Sequence, residues 1–211
     1  MRIPTVFTLV VTVLLVAGPA RAQVGKSQGL VDVNTITEAD LQKLPHMSPA
    51  IVKAILADRP FQSPVELNKL LLAQGLTQDQ ATAFYEKTFV HINLNTATAD
   101  EILLIPRAGK RMAHEFEEYR PWKTWAQFDK EIGKYVGAQE TARLAQYGFI
   151  PINLNTASDA HLLSIPGVGK RMLHELKEYR PWKTTAQFDK EIGKYVDEKE
   201  VKRLARYVVI Q

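Results

Sequence analysis

Most of this chain is written more than once. Displaced by 60 residues, Ile92 to Pro151 falls on Ile152 to Gln211 with 39 identities in 60 and no gap. The shared text includes Ile-Asn-Leu-Asn-Thr-Ala at 92 and 152, Gly-Lys-Arg-Met at 109 and 169, and Tyr-Arg-Pro-Trp-Lys-Thr at 119 and 179. A third, more divergent copy lies upstream at an offset of 61. There Val33-Asn34-Thr35, Leu44-Pro45 and Arg59-Pro60 match Leu94-Asn95-Thr96, Ile105-Pro106 and Arg120-Pro121. A period of this length marks an array of one supersecondary unit. The units run 31–91, 92–151 and 152–211, and Phe149-Ile150-Pro151-Ile152 joins the last two without a Gly/Ser linker, which predicts a stiff array.

Within each unit the helix-start signals recur. Thr98 with Glu101 and Thr124 with Gln127 have capping-box spacing; so does Ser63 with Glu66, with Pro64 at the first helical position. Weaker openings stand at Thr77 with Gln80, near Gly137 with Glu140, and at Asp197 with Glu200. Ile165-Pro166-Gly167-Val168-Gly169 breaks one helix and starts the next, which carries an apolar stripe at 172, 176 and 179 and stops where Arg180 precedes Pro181. Each unit therefore reads as four short helices in about 60 residues, an all-α fold. Ile152-Asn153-Leu154-Asn155 alternates and could form a short extended stretch.

The N-terminus reads as an address. Arg2, the apolar run Ile3 to Ala17, Gly18-Pro19 and the triplet Ala20-Arg21-Ala22 have the layout of a cleavable secretory signal, residues 1–22, with the mature chain starting near Gln23. A retained anchor fits less well, because a span wants roughly 20 apolar residues and Pro4, Thr5, Thr8 and Thr12 interrupt this run. The expected product is periplasmic or secreted, with no membrane contact after signal removal. Zero cysteines exclude disulfides, thiolate metal sites and iron–sulfur clusters. No cofactor and no metal are expected. His114 and His174 each precede a glutamate, but Glu118 and Glu178 occupy the places where the paired-histidine zinc motif needs its second histidine. Gly169-Lys170 lacks the spacing and hydroxyl of a nucleotide-binding loop, since Ser164 and Arg171 stand at the deciding places.

The hairpin of the third unit is where binding chemistry concentrates. In Pro166-Gly167-Val168-Gly169-Lys170-Arg171, glycine permits a tight turn that pushes Val168 back between the two helices. The amides of Gly169, Lys170 and Arg171 are then unpaired at the positive end of a helix, a ready place for a phosphate. Such a site contacts backbone and not bases, so it predicts binding to nucleic acid without sequence preference and with a marked salt dependence. Charge follows the same gradient: Lys+Arg against Asp+Glu is 6 to 7 for 23–91, 8 to 8 for 92–151 and 11 to 8 for 152–211. The third unit should dominate, helped by Lys177, Lys183, Lys194, Lys202, Arg203 and Arg206. Tyr119, Trp122, Tyr179 and Trp182 read as core rather than stacking platforms, and Trp125, matched by Thr185, is expected at the surface.

These residues resemble a known family. Leu/Ile-Pro-Gly-x-Gly between two short helices, preceded by Asn-x-Asn-Thr-Ala and followed by Tyr-Arg-Pro-Trp, is similar to the helix-hairpin-helix domain of the ComEA competence-protein family, exported DNA receptors of bacterial transformation. The resemblance covers nearly all of 31–211, three times. It implies that hairpin amides and adjoining bases hold DNA phosphates and that a second hairpin completes each domain. By position, the implied DNA contacts are Gly167, Val168, Gly169, Lys170 and Arg171 in the third unit, and Arg107, Gly109, Lys110 and Arg111 in the second. The second unit has Arg107 and Ala108 in place of the first glycine and the apolar residue. The first unit has His46-Met47-Ser48-Pro49, with neither glycine nor a lysine or arginine, and Pro49 removes a donor. The second hairpins, near Ile132-Gly133-Lys134-Tyr135-Val136 and Ile192-Gly193-Lys194-Tyr195-Val196, lack paired glycines.

Two function classes compete. One is an exported module binding double-stranded DNA non-specifically, as in DNA uptake. The other is a structural or docking protein, because the same fold resembles a small extrinsic luminal subunit of photosystem II, and the first unit then offers a protein-partner surface. An enzyme is not expected, because no catalytic domain or cluster of nucleophile, acid or metal ligands is left over once the repeats are assigned.

Overall fold

A computed structural model describes residues 30–211. The export signal expected at 1–22, and the polar lead from Gln23 to Gly29, lie outside the described residues. The first copy contains β1 (Val31–Asp32), α1 (Glu38–Leu41), α2 (Pro49–Asp58), α3 (Pro64–Ala73), α4 (Gln78–Tyr85) and β2 (Thr88–Phe89). The second contains β3 (Ile92–Asn93), α5 (Ala99–Leu103), α6 (Lys110–Glu118), α7 (Trp125–Leu144), a 3₁₀ turn (Ala145–Tyr147) and β4 (Gly148–Phe149). The third contains β5 (Ile152–Asn153), α8 (Asp159–Leu163), α9 (Lys170–Glu178), α10 (Thr185–Ile192), α11 (Glu198–Ala205) and β6 (Val208–Val209). The fold is mostly helical, as expected from the sequence. No helix among the described residues is long and apolar enough to cross a membrane.

The capping signals act where the sequence places them. Thr77 and Thr98 open full capping boxes, Ser63 and Thr124 accept the amides of Glu66 and Gln127, and Asp197 accepts that of Glu200. Four helices form in each copy; in the second, α7 comprises the two later ones, separated at Gly137 (φ 74°, ψ 169°), a conformation that glycine adopts without steric cost. The third copy has Asp197 at the matching position, an extended residue whose carboxylate starts a separate helix.

The alternating segment is a strand in each copy. β1 pairs in parallel with β2, β3 with β4 and β5 with β6. Parallel strands need a long crossover, and here it is the copy's entire set of helices. Two further ties draw each copy together. The amide of Asn34, Asn95 or Asn155 exchanges hydrogen bonds with the backbone of Phe61, Trp122 or Trp182, 27 residues on. Arg59, Arg120 and Arg180 then donate to the carbonyls of Ile36, Leu94 with Ala97, and Ala157. The repeated Asn-Thr and Arg-Pro text is therefore an internal clasp, closing backbone groups that would otherwise be buried without partners.

Trp122 and Trp182 are fully buried and donate from Nε1 to the carbonyls of Phe116 and Leu176, which places them in the core as expected. Each indole removes about 150–250 Å² from water, about 4–6 kcal/mol at 25 cal/mol per Å². Trp125 differs from expectation: it is half-buried, edge-on to Phe128 at 5.5 Å, because the start of α7 lies against the shared core. The first two copies share one apolar core from Leu30 to Ile150, and the third has its own around Leu154, Leu176 and Trp182. The third copy meets the others where Tyr207 lies 4.3 Å from Phe149 and donates to buried Asp32, which also bonds His91 Nδ1 at 2.8 Å. Burial alone would raise the Asp32 pKa, but the hydrogen bond and charge of His91 and the Asn34 amide outweigh it and hold the carboxyl below its ordinary value.

Candidate functional site

All three copies build the same turn ahead of their second helix. The amides of Met47, Ala108 and Val168 each bond a carbonyl three residues back, at Leu44, Ile105 and Ile165. The residue between takes the left-handed conformation every time: His46 at φ 62°, Arg107 at φ 65° and Gly167 at φ 82°. Ala108 and Val168 are then buried between the helices and Met47 is half-buried. Val168 thus contributes its backbone to the hairpin and its side chain to the core. Shape is retained without glycine in the first two copies, at the steric cost of a side chain in that region.

What differs is the start of the helix behind the turn. In the first copy Ser48 Oγ accepts the amide of Ile51, and Pro49 has no amide. In the second and third copies Gly109 and Gly169 stand at the same place, and no side chain caps α6 or α9. The other α-helix starts among the described residues are capped by a Ser, Thr or Asp side chain, except the restart inside α7, where Gly137 stands at the cap. The first intrahelical bonds at these two ends run from Ala113 to Gly109 and from Leu173 to Gly169. The amides of Lys110, Arg111 and Met112, and of Lys170, Arg171 and Met172, come before them and point along the positive end of the helix dipole. Neither glycine is there for its backbone: φ is −87° and −95°, and a Cβ at either would meet nothing within 4 Å. Serine would fit, so the consequence of glycine is the bare helix end.

Around these ends Gly167, Gly169, Lys170 and Arg171 are exposed, as are Arg107, Gly109, Lys110 and Arg111. The structure therefore brings the residues singled out in each hairpin, apart from buried Val168, to one solvent-facing helix start. No carboxylate among the described residues forms an ion pair with Lys110 or Lys170. Arg107 stands 3.9 Å from Glu140, and Arg111 Nε stands 3.9 Å from Glu115.

The wider basic set of the third unit is a different matter. Arg203 is 1% exposed, bound twice by Glu200 and donating to the Pro166 carbonyl on the inner side of the hairpin. Arg206 donates to the His91 carbonyl in the first copy. These two arginines are structural, and the expectation that they help at a surface site is corrected. Lys177, Lys194 and Lys202 pair with Asp159, Glu191 and Glu198, which offsets their charge, whereas Lys183 is exposed. The second hairpins offer no comparable amide end. Asp197 already caps α11, with Glu198 and Glu200 in its first turn, and in the second copy the helix that restarts after Gly137 has no side-chain cap but carries Glu140, and no lysine or arginine, in its first turn.

His114 and His174 face Glu118 and Glu178 one turn on, at 3.2 and 3.9 Å. No group of three metal-ligating side chains occurs among the described residues. Sequence reasoning missed Asp32, His91 and Tyr207, which tie the first copy to the third. Their separations of 59 and 175 residues carry no local signal. Comparison with protein-family models, characterised proteins and solved structures finds no match.

Proposed function

We propose that this chain is an exported array of three helix-hairpin-helix units, 31–91, 92–151 and 152–211, that binds double-stranded DNA without sequence preference, in the manner of an uptake receptor rather than an enzyme. The observation that carries the reading is the pair of uncapped helix starts at Gly109 and Gly169, each followed by exposed Lys-Arg. A phosphate oxygen accepts from such amides and gains from the adjacent charges, while the bases stay out of reach. A charge-assisted hydrogen bond contributes about 1.5–3 kcal/mol, so one hairpin alone binds weakly. Two on one chain act together, the second contact being made at an effective concentration of about millimolar. The first unit, its helix closed by Ser48, serves as a structural partner of the third through Asp32 and Tyr207.

Fluorescence anisotropy of labelled duplex DNA tests the reading. Binding should weaken steeply between about 50 and 200 mM salt, with a log–log slope near −0.9 per phosphate contacted. Absence of DNA affinity at low salt, together with a protein partner cross-linked to the first unit, would favour the docking role instead.

A further inference from the structure

The exposed arginine beside each bare helix end is not loose. Arg111 Cζ lies 5.1 Å from the centre of the Tyr135 ring, and Arg171 Cζ lies 5.9 Å from that of Tyr195. Each tyrosine is in turn fixed. Its hydroxyl shares a hydrogen bond with Tyr119 or Tyr179, at 2.8 and 3.0 Å, and those rings lie 6.0 and 5.7 Å from the buried Trp122 and Trp182. Lys134 and Lys194 cover the far tyrosine at 5.5 and 5.3 Å. The bond to Tyr119 and the nearby Glu115 push the Tyr135 phenol above its ordinary pKa, and Tyr179 and Glu175 do the same for Tyr195, so both rings stay neutral.

Three copies supply an internal control. The two with bare helix ends both carry this ladder of arginine, tyrosine, tyrosine and lysine. The copy closed by Ser48 has Ala50 in place of the arginine, Asp58 in place of the first tyrosine, and no aromatic residue in its turn Gln74-Gly75-Leu76. The ladder and the bare helix end thus occur together in two copies and are both missing from the first.

We propose that Tyr135 and Tyr195 are positioning residues that hold the guanidinium groups of Arg111 and Arg171 beside the open helix starts, ready for a phosphate. This role rests on the phosphate-binding reading above. A planar guanidinium stacks through its face and donates through its edge, so the ring restrains it without using its N–H groups. The Arg111 side chain remains 74% exposed, with only its Nε facing a carboxylate, Glu115 at 3.9 Å. Preorganisation removes part of the ordering cost at each contact.

A double-mutant cycle in the full chain, read by anisotropy with labelled duplex DNA, tests this. Tyr195→Leu should weaken binding about two- to fivefold, the worth of an exposed cation–π contact. Tyr195→Phe, which keeps the ring, should stay close to the parent. In an Arg171→Ala background Tyr195→Leu should cost nothing further; an equal loss in both backgrounds overturns the role and leaves phosphate binding standing. In the parent itself the Arg171 Nε–H should give a positive heteronuclear NOE, and a negative one, the mark of a freely moving side chain, also overturns it. A parent that binds no DNA at low salt overturns the phosphate-binding reading and this role together.

Discussion

The first and third hairpins have the same shape and opposite chemistry. His46 and Gly167 both take the left-handed conformation, and both turns close through an amide bonded three residues back. Yet one turn runs into a helix sealed by Ser48 and Pro49, and the other into a helix left bare at Gly169 and followed by Lys170 and Arg171. The comparison separates two properties that a glycine-rich hairpin usually merges. The turn needs only a residue held at positive φ, which packing can enforce on His46 or Arg107. An anion site needs the absence of a cap, and a single serine removes it.

If the first copy is structural, its largest effect should be on stability. Asp32→Ala leaves buried His91 Nδ1 and the Tyr207 hydroxyl without their partner, and should cost about 3–5 kcal/mol in chemical denaturation. Because the folded Asp32 pKa lies below its unfolded value, its contribution is present above about pH 4 and is lost as the pH falls through the folded pKa. The parent should therefore soften in acid, and Asp32→Asn should soften less; equal acid sensitivity would contradict the assignment.

Next in size is the third hairpin itself. Lys170→Glu with Arg171→Glu removes two charge-assisted contacts at about 1.5 kcal/mol each, so DNA affinity should fall about a hundredfold. A variant that binds like the parent removes the site from this hairpin. The converse change opens the first one: Ser48→Gly, Pro49→Lys and Ala50→Arg together should raise affinity about tenfold by adding one contact, and no gain would mean that the turn is misaligned for DNA. Smallest is Arg107→Gly. Relief of the left-handed side chain, about 1–2 kcal/mol, exceeds the entropy cost of glycine, so stability should rise by about 0.5 kcal/mol. The salt slope should become shallower by about one contact; a melt that falls and a slope that stays would sink both halves.

Much of this was legible from local text. Ser63, Thr77, Thr98, Thr124 and Asp197 announce helix starts because a cap is a contact across three residues. The bare ends at Gly109 and Gly169 are legible for the same reason, as the places where the hydroxyl or carboxylate is missing. The left-handed Arg107 and His46 are not, because only glycine advertises positive φ in a sequence. Asn95 and Arg120 read as motif residues, but their clasp joins groups 23 to 27 residues apart, beyond any local pattern. Arg203 and Arg206 were misread for a simpler reason: counting charges does not tell which arginines face inward.

The central claim is that two uncapped helix starts hold phosphate. Replacing both glycines, Gly109→Asp with Gly169→Asp, places a carboxylate cap on each end without steric conflict, since a Cβ there has open space. The account predicts opposite signs in one sample: thermal stability holds or rises by a few tenths of a kcal/mol per helix, while affinity for duplex DNA at low salt falls at least about tenfold. Unchanged DNA affinity in a chain that melts like the parent would contradict it.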